Sequence, residues 1–208
     1  MTDIREALEH HIDTLAPTLV ALRGEAEHLT AWGTHLADKL DGGARLLAAG
    51  NGGSAAEAQH LTAELVGRFE GERRAFSALS LHAESSSVTA ISNDYGYDQV
   101  FARQVRGHAR PGDIVFLLST SGNSKNLLLA AEAARECGAV SWAITGEAPN
   151  PLVSVVDDHI ALPGRSSNVQ EAQLVAVHLI CRAFDLRVAE IDAAAARPAA
   201  RPLAEVAK

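Results

Sequence analysis

Five short apolar runs alternate with longer stretches of helical periodicity, and this alternation constrains the fold more than any other feature of the chain. The runs fall at 45–49, 75–81, 113–118, 140–145 and 158–162. The clearest of them reads Asp113-Ile-Val-Phe-Leu-Leu118. Strands that are apolar at consecutive positions are covered on both faces, as in a parallel sheet whose crossovers are helices. Helices are expected at 54–66, 88–92, 97–108, 124–137 and 167–188, with Gly138 closing the fourth as a C-cap. Residues 93–96, Asn-Asp-Tyr-Gly, read as a turn between the second and third.

The first forty residues stand apart from this rhythm. Ile4, Leu8, Ile12, Leu15, Leu19 and Leu22 recur at helical spacing, which predicts helix over 3–40, broken near Pro17 and Gly33. Such a helix lies outside the sheet core and suits packing on a partner subunit. Residues 1–192 form one α/β domain in this reading, with no repeat or linker to mark a second. The Ala/Arg/Pro-rich stretch 193–208 is expected to fray.

A chain of 208 residues can bury a sizeable single core. Its net charge of -8 argues against a broad nucleic-acid surface, so an anionic ligand must be held by local donors. The N-terminus lacks the basic start and apolar run of a secretory signal, and no apolar stretch reaches membrane-spanning length. Cys137 and Cys181 both sit in apolar helical patterns and read as reduced thiols. The expectation is a cytoplasmic protein with no membrane partner.

Ligands of parallel α/β sheets bind beyond the carboxyl ends of the strands. Two loops fall there. Gly50-Asn51-Gly52-Gly53-Ser54 follows the first run and opens a helix. Its bare N–H groups could cradle an oxygen-rich ligand, and Asn51 and Ser54 add donors. It is not the full dinucleotide fingerprint, and a tight strand-to-helix turn would also use these glycines. Ser119-Thr120-Ser121-Gly122-Asn123-Ser124 follows the third run. Its hydroxyls converge on the positive end of a helix, which suits a phosphate ester. It has no P-loop lysine, and an ordinary N-cap at Ser124 is the plainer alternative.

His60 and Glu64, four residues and so one turn apart, share a face of the helix that the glycine loop opens. They could be an acid/base pair, two metal ligands, or a surface ion pair. Gln170 and His178 lie on the last long helix among apolar residues. A histidine there is ordinarily a satisfied core side chain. Their spacing corresponds to roughly 12 Å of rise, so they meet at one ion only near full reach, or with help from a second subunit. Asn93 and Asp94 could bind sugar hydroxyls or simply cap a turn.

Together these segments make the chain similar to the phosphosugar isomerases of the sugar-isomerase (SIS) superfamily, in the branch that acts on sedoheptulose 7-phosphate. The resemblance spans residues 5–190. It rests on 49–54, on His60 with Glu64, on 92–96, on 119–124, and on Gln170-Glu171 with His178. It implies a three-layer α/β sandwich around a five-stranded parallel sheet. It also implies a homotetramer with active sites between subunits and one zinc ion per subunit. The positions matching His60, Glu64, Gln170 and His178 would bind zinc, and Glu64 and His178 would do the acid/base work. Substrate contacts would fall to Asn51, Gly52, Gly53, Ser54, Glu64, Asn93, Asp94, Ser119, Thr120, Ser121, Ser124 and Gln170. The implied reaction converts D-sedoheptulose 7-phosphate to D-glycero-D-manno-heptose 7-phosphate through an enediol.

One departure stands out. Some members carry an aspartate and an arginine just before the glutamine, where this chain has Ser167 and Asn168. The alternative is a non-catalytic SIS-domain binding protein, like the members that bind a replication initiator. Those resemble the enzymes less at the acid/base positions, and this chain retains both Glu64 and His178. Sugar-phosphate-sensing regulators add a DNA-binding domain for which the chain has no room.

Overall fold

A computed structural model of the chain describes residues 3–196. Two helices, α1 (Ile4–Gly24) and α2 (Ala26–Asp41), precede β1 (Leu46–Gly50), α3 (Gly53–Val66) and β2 (Ala78–Ser80). Then come α4 (Ser85–Tyr95), a 3-10 turn (Tyr97–Gln99), α5 (Val100–His108), β3 (Ile114–Ser119) and α6 (Lys125–Glu136). The chain continues through β4 (Val140–Thr145), a second 3-10 turn (Leu152–Ser154), β5 (Asp158–Ala161) and α7 (Ser166–Ala195). The strands form one parallel sheet in the order β2-β1-β3-β4-β5.

Alternation along the buried strands builds two cores. Leu46, Ala48, Ile114, Phe116, Leu118, Trp142 and Ile144 face α2, α3 and α7. Leu47, Ala49, Val115, Leu117 and Ala143 face α5 and α6. The three layers expected from the apolar runs follow directly. Because β2 lies on one side of β1 and β3 on the other, connections reverse direction between β1 and β3. That reversal opens a crevice at their carboxyl ends, the place where such sheets take ligands.

Four local expectations are corrected. The N-terminal helical region breaks at Gly24–Glu25, not at Pro17 or Gly33. Pro17 lies on an exposed face of α1, so water can serve the carbonyl its missing N–H leaves free. Gly33 sits inside α2, where an added Cβ would collide with the Ala183 side chain and the Ile180 carbonyl of α7. It permits close helix approach rather than ending a helix. Asn93, Asp94 and Tyr95 belong to α4, and only Gly96, at φ +85°, turns the chain. The second strand is shorter than the run 75–81, since it pairs on one side only, at the sheet edge. Finally, α7 extends through residues 193–195, which were expected to fray; residues 197–208 lie outside the described residues.

Both cysteines are free, Cys181 buried and Cys137 partly so. Among the described residues no helix is long and apolar enough to cross a membrane.

Candidate active site

Gly50 at the end of β1 pairs in register with Leu118, one residue before the end of β3. The glycine and serine loops therefore leave adjacent strands, and their helices depart to opposite faces of the sheet. Gly52 caps α3 in a left-handed conformation, φ +57°, that a side chain would strain. At Gly53 an added Cβ would fall inside the Gln170 side chain. The glycine thus lets Gln170 lie directly against the loop backbone. Ser54 is buried beneath it and donates to Gln173 Oε1 at 3.1 Å, while Gln173 Nε2 donates to the Ile144 carbonyl at 2.8 Å.

The serine loop is wound on itself. Gly122 N–H donates to Ser119 Oγ at 3.0 Å, and Asn123 N–H donates to Ser121 Oγ at 3.2 Å. Gly122 takes φ +64°. Ser124 is the N-cap of α6, yet its side chain makes no capping bond. The Ser124 carbonyl takes up the Leu127 N–H at 3.0 Å, so its hydroxyl and the N–H groups of Lys125 and Asn126 are the donors at this helix start that could face a ligand. Ser121 is exposed, Thr120 and Ser124 half-buried, and Ser119 buried.

His60, Glu64 and His178 come together within one protomer. His60 Nε2 lies 2.9 Å from His178 Nε2 and 3.3 Å from Glu64 Oε1. Phe69 packs against the His178 ring at 5.3 Å. Gln170, two turns before His178 on α7, sits at Gly53 instead. The two ends meet in one open pocket of about 380 Å³ lined by Gly53, Glu57, His60, Gln170, Leu174 and His178. Gln170 lies against Gly53 and His178 against His60, so the two line the same pocket without being drawn to one point.

Two imidazole nitrogens and a carboxylate oxygen form a donor set that suits zinc. Among the described residues no three His, Cys, Asp or Glu side chains form a ready-made cage. The donor chemistry fits the ion, while the two rings are hydrogen-bonded to one another.

Asn93 and Asp94 are exposed at the end of α4, with Asn93 Nδ2 donating to Asp94 Oδ1 at 2.9 Å. The following 3-10 turn carries Tyr97, whose hydroxyl donates to Asn51 Oδ1 at 3.1 Å. The end of α4 is thereby held beside the glycine loop.

Several residues at the site are absent from the sequence reading. Asn126, on the first turn of α6, exchanges two hydrogen bonds with Asn51. The Arg73 side chain is buried and donates to the Glu64 and Leu65 carbonyls at 2.6 and 2.9 Å, closing the end of α3 that carries Glu64. Its guanidinium pairs with Asp185 at 2.7 Å and packs on Phe76 and Phe184. Glu57 lies one turn before His60 with Oε2 buried and unpartnered, and burial pushes its carboxyl up to about 7. An acidic residue three before a metal-type histidine was the available signal for Glu57. For Asn126 and Arg73 no local pattern gave one.

A parallel sheet with a switch-point crevice, a serine loop at a helix N-terminus and a neighbouring helix that carries His60 and Glu64 together suit a sugar-phosphate-handling domain. The family model described as SIS domain matches residues 10–146, and the chain belongs to that family. Within it the chain is a member of the phosphoheptose isomerases. It is 60% identical over 176 residues to the phosphoheptose isomerase of Streptomyces coelicolor, covering 84% of this chain and 76% of that protein. It is 42% identical over 183 residues to that of Citrifermentans bemidjiense, covering 87% and 93%. Among solved structures, the phosphoheptose isomerase GmhA of Neisseria gonorrhoeae superposes with a TM-score of 0.76 at 34% identity, covering 88% of this chain and all of that one.

Proposed function

We propose that the chain isomerises D-sedoheptulose 7-phosphate to D-glycero-D-manno-heptose 7-phosphate. The observation that carries the reading is the crevice itself. The serine loop 119–124 and the glycine loop leave adjacent strand ends, and the helix after the glycine loop brings His60 and Glu64 to His178, in a chain 60% identical to a phosphoheptose isomerase. The serine loop would bind the phosphate through the Ser124 hydroxyl and the helix N–H groups. Asn51, Gly52, Gly53 and Gln170 would line the sugar toward its carbonyl end, with Asn93 and Asp94 reaching its hydroxyls.

Ketose-to-aldose conversion removes a proton from C1, forms an enediol across C1 and C2, and returns a proton to C2. The carbonyl moves from C2 to C1 and no other bond changes. Glu64 takes the C1 proton and delivers it to C2. His178 moves the hydroxyl proton between the two oxygens. Zinc, with His60, Glu64 and His178 as ligands and Gln170 a fourth once its side chain turns from Gly53, would supply charge stabilisation at those oxygens. Arg73 keeps the end of α3, and with it Glu64, in place.

A homotetramer in the cytoplasm belongs to the same proposal. Its support is the exposed apolar face of α1, where Ile4, Leu8 and Ile12 are 79%, 65% and 68% exposed, together with exposed Leu174, Val175 and Leu179 beside the site on α7. Apolar faces of this kind are covered in the assembled protein.

The test is incubation with sedoheptulose 7-phosphate, with and without a chelator, followed by NMR of the sugar. An aldoheptose phosphate is expected, with less of it after chelation. No aldose in either sample would overturn the isomerase reading in favour of a binding protein.

A further inference from the structure

The two substrate loops are tied together by a reciprocal amide pair. Asn51 Nδ2 donates to Asn126 Oδ1 at 3.0 Å, and Asn126 Nδ2 donates to Asn51 Oδ1 at 2.9 Å. Asn126 is 4% exposed. Asn51 sits in the glycine loop after β1, and Asn126 on the first turn of the helix that the serine loop opens. Tyr97 adds a third bond, donating from its hydroxyl to the same Asn51 oxygen. Beside it, Lys125 pairs with Asp98 at 2.8 Å, so neighbouring residues of the 3-10 turn reach both loops. With its oxygen accepting twice and one N–H spent, Asn51 has a single amide proton left to offer a ligand.

A reciprocal amide pair is directional in both members, unlike an ion pair, and it fixes distance and plane together. Burial makes it costly to leave half-made. We infer that Asn126 is a positioning residue: through Asn51 it sets the separation between the phosphate seat and the reacting end of the crevice. Tyr97 locks Asn51 in the amide orientation that the pair requires. This rests on the isomerase reading above. A phosphorylated sugar anchored at one loop reacts at the other, and displacement of the loops by about 1 Å costs on the order of 100-fold in rate.

The test is a double-mutant cycle on Asn51→Ala and Asn126→Ala, with Tyr97→Phe as a third variant that removes one exposed oxygen and leaves the core intact. Turnover of sedoheptulose 7-phosphate and inhibition by inorganic phosphate are measured for each. Asn126→Ala is expected to lower kcat about tenfold or more while phosphate inhibition stays within about twofold. The double variant should be no worse than the poorer single. Tyr97→Phe should cost several-fold in the parent and nothing in the Asn51→Ala background. Additive losses, or loss of phosphate affinity in step with kcat, would overturn the inference.

Side-chain amide exchange of 15N-labelled protein gives a readout free of turnover. Slow exchange at Asn126 that quickens in Asn51→Ala supports the pair, and fast exchange in the parent overturns it. A parent that leaves the sugar unchanged overturns the isomerase reading separately, and the pair is then judged on exchange alone.

Discussion

His60 Nε2 and His178 Nε2 stand 2.9 Å apart although 118 residues separate them in sequence. One ring must present its N–H to the lone pair of the other, with the Glu64 carboxylate 3.3 Å from His60. Helices α3 and α7 therefore meet at their polar side chains in one cluster of two imidazoles and a carboxylate.

Glu64→Gln tests the base directly. The amide keeps the shape of the carboxylate and cannot accept a carbon-bound proton, so kcat should fall by about 10²–10⁴-fold. Inhibition by inorganic phosphate, the probe of the proposed seat in the serine loop, should barely change. A variant retaining full turnover would remove Glu64 from the mechanism.

Gly53→Ala should separate folding from function. The Cβ would collide with the end of a flexible Gln170 side chain, which can swing aside at small cost to stability. The melting temperature should move little, while kcat/KM should drop about tenfold or more as Gln170 leaves the pocket wall. Gln170→Ala in the Gly53→Ala background should then add nothing further.

Arg73→Met should unfold the chain far more readily than it alters any surface property. It leaves the half-buried Asp185 without its partner and strips donors from the last carbonyls of α3. Breaking such a pair costs about 3–5 kcal/mol. Asp185 Oδ2 already has no hydrogen-bond partner. Converting Asp185 to Leu in the same chain should recover part of the loss, as read in urea unfolding.

Glu57 gives stability a pH dependence. Burial holds its carboxyl at about 7, against an ordinary 4.5. With the folded value raised, the folded chain keeps a proton that the unfolded chain gives up. Stability is then fully present below about 4.5 and is lost as pH rises toward 7. Glu57→Gln removes this loss. Relative to the parent, the metal-free variant should be unchanged near pH 4 and more stable by up to roughly 3 kcal/mol above pH 7. Equal differences in melting temperature at pH 4 and pH 8 would show that burial does not govern this carboxyl.

What the sequence discloses here follows from how local each signal is. The strand 140–145 matches β4 to the residue, because a buried run between Gly138 and a turn has no competing register. Both loops were legible because glycines and hydroxyl residues mark strand-to-helix turns within a few positions. The nearness of His60 to His178, the partnership of Asn51 with Asn126, and the burial of Arg73 against Asp185 were not. Each joins residues more than 70 positions apart. Pro17 and Gly33 misled for the converse reason. Their local effect on a helix is outweighed by solvent access at one and by the contact with α7 at the other.

The reversal of strand order between β1 and β3 has one more consequence. The two ends of the crevice are mounted on neighbouring strands joined by main-chain hydrogen bonds at a spacing of about 4.8 Å. No side-chain substitution alters that spacing. The crevice is in effect a calliper with a backbone hinge pin. Selection for a sugar of another length must act on the loops that tip its jaws, because the sheet holds their base constant.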